Sequence, residues 1–158
     1  MKKTGAEAST MQEDSDQLRL DRQVCFPLYA ATNLIQRLYR PLLEPLALTY
    51  SQYLVMLVLW EGDNLPVGDI RACLHLDIGT LSPLLKRMER AGFISRSRDT
   101  SDERRVLISL TEEGHALRID AASIPGALAK SVGLDIEGLE VLRDQTRALV
   151  TRLASEVH

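Results

Sequence analysis

Apolar residues recur at helical spacing along most of the chain and alternate in only one place. In Thr80-Leu81-Ser82-Pro83-Leu84-Leu85-Lys86-Arg87-Met88-Glu89-Arg90, Leu81, Leu84, Leu85 and Met88 fall at i, i+3, i+4 and i+7, which predicts a helix with one face on a core. The other face offers Ser82, Lys86, Arg87 and Arg90. Gly92 suits the position beyond the helix end, where a left-handed backbone is often needed. Two β-branched, alternating runs, 93–98 and 104–110, then bracket a polar tip of Asp99, Thr100, Ser101 and Asp102, and predict a hairpin.

The same reading places the remaining elements. Residues 1–18 are polar and predict a mobile tail. A first helix is predicted from near Leu20 to Leu43, closed by Glu44-Pro45. A second starts near Thr49-Tyr50-Ser51, carries Tyr50, Tyr53, Leu54, Leu57 and Val58 at helical spacing, and ends at Gly62. A short third helix covers 67–76, and its partner begins between Asp77 and Thr80, because Pro83 fits a first turn better than a helix interior. Thr111 followed by Glu112 and Glu113 is a hydroxyl cap with acids in the first turn. That helix runs to about Ser123, where Ile124-Pro125-Gly126 interrupts it. A last helix over 135–154 places Leu139, Leu142, Thr146, Leu149 and Leu153 in a seam that asks for another helix beside it.

Charge sharpens the picture around the hairpin. The chain of 158 residues has a formal net charge of -3, which argues mildly against a nucleic-acid partner. From Lys86 to Arg105, however, seven Lys or Arg face four acids, whereas the first 21 residues hold three against five. Local sign decides when one face docks. A helix with cationic and hydroxyl groups, followed by a ribbon bearing Arg96, Arg98, Arg104 and Arg105, is how a winged helix-turn-helix meets double-stranded DNA. The predicted fold is mainly α with a small β-hairpin wing, dimerised through its N- and C-terminal helices. Thr80, Ser82, Lys86, Arg87 and the four wing arginines are the candidate DNA contacts. A palindromic site favours a two-fold protein, hence a homodimer on a pseudo-palindromic operator.

Other classes find little support. No apolar run reaches the roughly 18 residues of a membrane span, and no secretory signal follows the first lysines. Cys25 and Cys73 form no zinc spacing and point to free thiols in a reducing cytoplasm. His75 lacks partners for a metal site, so neither metal nor cofactor is expected. Trp60 reads as packing.

The two thiols differ in setting. Cys73, between Ile70, Leu74 and Leu76, reads as a small buried hydrophobe. Cys25 sits near the start of the first helix, with Pro27 as a first-turn marker. Unpaired N–H groups and the positive end of the dipole favour thiolate there. Cys25, Tyr29, Thr32, Gln36 and Tyr39 fall within roughly 40° of one meridian of an ideal helix. Tyr29 is one turn from the sulfur. Tyr39, fourteen residues on, is about 21 Å away by helical rise, so any service it gives a thiol must be to a partner's.

These residues resemble the MarR-type winged-helix regulators, and within them the organic-hydroperoxide-sensing branch. The likeness runs from Gln23 to Leu153. It is carried by Val24-Cys25-Phe26-Pro27-Leu28-Tyr29-Ala30, Leu38-Tyr39-Arg40-Pro41-Leu42-Leu43, Leu48-Thr49-Tyr50-Ser51-Gln52-Tyr53, Gly79-Thr80-Leu81-Ser82-Pro83-Leu84-Leu85-Lys86-Arg87 and Asp102-Glu103-Arg104-Arg105-Val106-Leu107-Ile108-Ser109-Leu110-Thr111. The resemblance implies that Cys25 is a peroxidatic sensor, that Tyr29, Tyr39 and Tyr50 hold it and its oxidised form, with Phe26 beside them, and that Arg104 is the wing arginine for the minor groove. Two departures stand out. Where some members keep a resolving cysteine, this chain has Lys130 and Ser131, and where relatives often begin the reading helix Asp-Ser-Gly-Thr, it has Asp77-Ile78-Gly79-Thr80.

The resulting expectation is a repressor, not an enzyme, that senses organic hydroperoxides through Cys25, with a low-molecular-weight thiol as second reactant. Its organisation would be a tail at 1–18, a dimerisation and sensor helix at 19–48, a DNA-binding lobe at 49–114 and C-terminal dimerisation helices at 115–158. The alternative is release by a phenolic or aromatic ligand in a cleft lined by Tyr29, Tyr39 and Tyr50, with Cys25 a bystander. A small thiol peroxidase would need a resolving thiol or reductase and a cation beside the sulfur, and Arg37 and Arg40 lie three turns or more along the helix.

Overall fold

The computed structural model describes residues 16–157. The elements are a 3-10 turn at Leu20–Arg22, α1 (Cys25–Leu43), a second 3-10 turn at Glu44–Leu46, α2 (Tyr50–Glu61), β1 (Leu65–Pro66), α3 (Val67–Leu74), α4 (Ile78–Arg90), β2 (Ile94–Arg98), β3 (Val106–Leu110), α5 (Glu112–Ala121), α6 (Ile124–Val132) and α7 (Ile136–Glu156). Compact packing divides the chain after Leu38, so that Tyr39 opens the second unit. Most of the expected tail, residues 1–15, lies outside the described residues.

The first helix starts at Cys25, five residues later than its apolar pattern suggests. Local side-chain bonds compete with helix there. The Gln23 side-chain amide donates to the carbonyls of Gln17 and Arg19, and Arg19 and Arg22 pair with Asp16 and Asp21. Cys25 thus occupies the first helical position.

In the second unit the core is built around α2. Thr49 and Gln52 form a reciprocal capping box that fixes its start. The helix is apolar nearly all round, burying Tyr53, Val55, Met56, Leu59 and Trp60 while leaving Leu57 on the surface. Against it pack Leu43, Leu46 and Leu48, Ile70 of α3, the full predicted stripe of α4, and Ile94, Ile108 and Leu110 of the sheet. The α3 helix is shorter than expected. His75 closes it in a left-handed conformation, and Cys73 lies on its exposed side, not in the core as its neighbours suggested. The stripe Val67, Ile70, Leu74 faces inward, and Cys73 falls about 90° away from it.

Helix α4 begins at Ile78, which places Pro83 at its sixth position rather than in the first turn. The missing N–H deprives the Gly79 carbonyl of its intrahelical donor, a cost near one helix end that the buried stripe offsets. Gly92 ends the segment at φ 83°, as its spacing implied. The hairpin of β2 and β3 gains a third strand. Leu65 pairs with Ile108 and Pro66 with Leu107, giving an antiparallel sheet of order β1-β3-β2.

One junction fastens these parts. The Thr111 hydroxyl donates to the Gly92 carbonyl at 2.5 Å and accepts from the Gly114 amide at 3.1 Å. The Thr111 amide donates to the Phe93 carbonyl, and the Trp60 indole N–H donates to the Gly114 carbonyl at 2.9 Å. The ends of α2, α4 and β3 and the start of α5 therefore meet at one residue cluster.

Ile124-Pro125 does not merely interrupt the helical run after α5. It starts α6, with proline in the first turn where its missing N–H costs nothing. Asp135 caps α7 by accepting from the Gly138 amide. Val141, Leu142, Val150 and Leu153 of α7 are each about half exposed, and Leu28 and Leu34 of α1 are exposed as well. Among the described residues no single helix is long and apolar enough to cross a membrane.

The junction generates a stability prediction. A Cβ at Gly114 would collide with the Phe93 carbonyl oxygen, whereas one at Gly126 would meet nothing within 4 Å. Gly114→Ala is expected to lose about 1–3 kcal/mol through overpacking, and Gly126→Ala to gain up to about 1 kcal/mol from helix propensity. Urea midpoints of the two variants test the contrast.

Candidate nucleic-acid interface and sensor cysteine

The exposed side of α4 follows from its buried one. With Leu81, Leu84, Leu85 and Met88 on the core, helical geometry turns Gly79, Pro83, Lys86 and Arg90 directly outward. Ile78 and Ser82 lie on one flank of that face, Thr80 and Arg87 on the other. Thr80, Lys86, Arg87 and Arg90 are exposed and Ser82 is half-buried.

Alternation along β2 places Ile94, Arg96 and Arg98 on one face of the sheet. Ile94 is buried in the core, and the Arg96 guanidinium reaches Glu89 of α4 at 3.7 Å. The Arg96 Nε is buried without a hydrogen-bond partner. Arg98, one pleat further out and opposite Val106, is exposed.

The wing tip is a preformed turn. The Asp99 carboxylate accepts from the Ser101 amide and hydroxyl at 2.8 and 2.6 Å, and these bonds hold its pKa below the usual carboxylate range. Asp102 accepts from the amide and the Nε of Arg104, both at 3.1 Å. The Arg105 amide donates to the Asp102 carbonyl at 2.8 Å, and its guanidinium lies 3.9 Å from Asp99. The Arg104 side chain is 92% exposed. A cleft of about 410 Å³ is lined by Ile78, Ser82 and Leu85 of α4, by Arg96, Arg104, Arg105 and Val106 of the wing, and by Pro66, Val67, Gly68 and Asp69 at the start of α3. All eight expected DNA contacts therefore lie on α4 and the wing, two adjoining elements. The sequence reading missed the acids Glu89, Asp99 and Asp102 as their organisers, although each stands within seven residues of its arginine.

The expected sensor residues fall into two groups. Cys25 is exposed at the first position of α1, with Phe26 beside it and Tyr29 one turn on, both also exposed. In the second unit Tyr39 packs on Tyr50, ring centroids 5.0 Å apart, and on Tyr53 at 5.7 Å, and Tyr53 meets Trp60 edge-on at 6.2 Å. Tyr53 was read only as a core position. Its place three residues after Tyr50, on one helical face, was the available signal. Burial first, then Tyr53 and Tyr50, pushes the Tyr39 phenol up to about 12. Burial likewise raises Tyr50 and, with help from Tyr50, Tyr53. All three hydroxyls stay protonated near neutrality and are available as donors. Trp60 is committed to the core and the Gly114 carbonyl, as packing.

Lys130 and Ser131 close α6, where the Ser131 hydroxyl donates to the Ala127 carbonyl. No group of three or more His, Cys, Asp or Glu that could hold a metal occurs among the described residues.

Comparison with known proteins agrees with this geometry. Residues 37–120 match the family described as transcriptional regulator SarA/Rot. The organic hydroperoxide resistance transcriptional regulator of Bacillus subtilis is 46% identical over 143 residues, covering 90% of this chain and 95% of that one. AbfR matches in four structures, one of them described as AbfR of Staphylococcus epidermidis and the other three as reduced and bound to DNA, overoxidised and bound to DNA, and disulfide-formed. The identities of these last three are 32%, 34% and 33%, their TM-scores 0.70, 0.68 and 0.58, and they cover 90%, 87% and 90% of this chain and 99%, 98% and 98% of AbfR. A mutant of MarR from E. coli, complexed with operator DNA, shares the fold at 22% identity and a TM-score of 0.67, over 77% of this chain and 89% of that one. The chain belongs to the MarR/SarA family of winged-helix transcriptional regulators, as a DNA-binding regulator similar to the organic hydroperoxide resistance regulator and not an enzyme.

Proposed function

We propose that the chain is a dimeric repressor that holds a pseudo-palindromic operator while Cys25 is reduced and releases it once an organic hydroperoxide oxidises that thiol. The observation that carries this reading is an exposed cysteine at the first position of a long helix, with a tyrosine one turn on, in a chain nearly half identical to an organic hydroperoxide resistance regulator. The dimer is supported by the half-exposed apolar positions of α7 and the exposed ones of α1, which need a partner helix to be covered. Segments 19–48 and 115–158 supply that interface, and 49–114 is the DNA-binding lobe. Two α4 helices enter successive major grooves about 34 Å apart, and the wings reach the flanking minor grooves or phosphates.

The chemistry is a two-electron transfer. The Cys25 thiolate attacks one peroxide oxygen, the O–O bond breaks, the sulfur becomes a sulfenic acid and the other oxygen leaves as an alcohol after taking a proton. Phe26 and Leu28, both partly exposed near the thiol in sequence, offer apolar contact to an organic peroxide. The protonated phenols of Tyr39 and Tyr50 are suited to donate to the oxidised sulfur of the partner chain. With Lys130 and Ser131 in place of a resolving cysteine, a small cellular thiol condenses with the sulfenic acid, forming a mixed disulfide and water. Overoxidised AbfR is bound to DNA in its structure, which favours the bulkier disulfide as the releasing product here. A switch needs at least about 100-fold weaker binding in the oxidised state, a coupling of about 2.7 kcal/mol.

A second reading keeps the repressor and changes the signal to a phenolic or aromatic ligand. The cluster in which the Tyr39 ring packs at a tilt on those of Tyr50 and Tyr53 favours it. Release without any change in protein mass would identify it.

Two experiments test the proposal. In a gel shift on the chain's own upstream DNA, addition of a lipid-like hydroperoxide with a small thiol should abolish the shift in parallel with an adduct confined to Cys25 by intact mass. Cys25→Ser should bind the same DNA and stay bound, and its release by hydroperoxide would remove the thiol from the mechanism. Arg104→Ala, on a side chain almost wholly exposed, should leave the fold unchanged and weaken operator binding by about tenfold or more, with a shallower dependence on salt. Unchanged affinity and salt slope would take Arg104 out of the interface.

A further inference from the structure

Ile78 stands out among the apolar residues of α4. The others, Leu81, Leu84, Leu85 and Met88, are at most 3% exposed, whereas Ile78 is 55% exposed at the first helical position. It stands one turn before Ser82 on the flank that borders the wing cleft. Its side chain carries no donor or acceptor, so it cannot read the hydrogen-bonding edges of guanine, adenine or cytosine. In the major groove the one apolar group on a base edge is the thymine C5-methyl.

Gly79 supplies an independent observation. A Cβ there would meet nothing within 4 Å, and its backbone is not left-handed. Neither packing nor conformation requires glycine, and alanine would favour the helix. What glycine provides is a bare helix surface beside Ile78, on the outward face, where another surface can approach the backbone closely.

We propose that Ile78 is a specificity-determining residue that packs on a thymine methyl in each half-site, with Gly79 allowing the first turn of α4 to sit deep enough in the groove for that contact. The inference rests on α4 being the reading helix of the proposed operator complex. Residues at the N-terminal end of such a helix are the ones that reach base edges.

The test uses the full-length protein. Operators are selected from a random duplex library, and affinities are then measured on the selected duplex with each thymine replaced in turn by deoxyuridine, which removes only the methyl. The wild type should lose about fourfold per half-site at one symmetric thymine position, the worth of one buried methyl. Ile78→Ser should bind the thymine and uracil duplexes equally, while Lys86→Ala should weaken both and keep the wild-type ratio. A methyl dependence that persists in Ile78→Ser, or none in the wild type on an enriched site, would overturn the assignment of Ile78 alone. A selection that enriches no sequence would overturn the DNA-reading role of α4 beneath it.

Discussion

The Thr111 junction is the constraint on which the geometry between α4 and the wing depends. Its hydroxyl bridges the end of α4, at Gly92, to the first turn of α5, at Gly114, and the Trp60 indole closes the same cluster from the end of α2. The Phe93 carbonyl, which accepts from the Thr111 amide, leaves no room for a side chain at Gly114. A helix proposed to read a groove and a ribbon proposed to clamp its flank must keep a fixed angle, and the three connecting residues, Ala91, Gly92 and Phe93, could not hold it unaided. Burial of the α4 stripe sets the rotation of the helix, and the junction sets where the hairpin leaves it. Asp63 adds to the same corner by accepting from the Leu110 amide at 2.8 Å.

A lobe fastened in this way moves as a body more readily than it deforms, since packed cores are bistable and resist continuous distortion. For the proposed switch this has a consequence. Oxidation of Cys25 need not alter any contact between α4 and the wing. It need only change the separation or tilt of two lobes, one from each chain, because both must fit half-sites on one duplex. The apolar positions left uncovered on α7 and α1 are the surfaces whose repacking would carry that change, and a shift of a few ångströms there costs affinity at both half-sites together.

How much of this was legible in the sequence depended on the range of the forces involved. The stripe of α4, the glycine at 92 and the Thr111 cap were readable because each is decided within a turn or two of chain. Strand β1 was not. Leu65 and Pro66 become a strand only because Ile108 and Leu107, 43 and 41 residues away in sequence, lie beside them. The inward face of α2 escaped for a different reason: a helix apolar all round has no periodicity to choose between Leu57 and Leu59. Pro83 and Ile124-Pro125 were misplaced by the same rule applied without tertiary context. A buried stripe can carry proline inside α4, and a proline that ends one helix can begin the next. Cys25 was legible as a helix-start thiol, but its exact register waited on the side-chain bonds of Gln23, which no hydrophobic pattern records.

The acids of the wing resolve the apparent conflict between a net charge of -3 and a nucleic-acid partner. In the Arg104–Asp102 pair the guanidinium is almost wholly open to water while the carboxylate is partly covered, and an ion pair with so exposed a partner contributes little to stability. In the proposed operator complex a phosphate or a narrow minor groove would therefore take the guanidinium from Asp102 at small cost, while the carboxylate still serves the free chain by ordering the tip through the Arg104 amide. Arg96 differs. Its side chain is only 29% exposed, and its Nε is already desolvated, so giving up Glu89 would strand a partly buried cation. The two arginines thus divide the work of the wing: Arg96 braces the ribbon on the end of α4, and Arg104 stays exchangeable at its tip. Counting charges along the chain treats them alike, but their burial sets them apart.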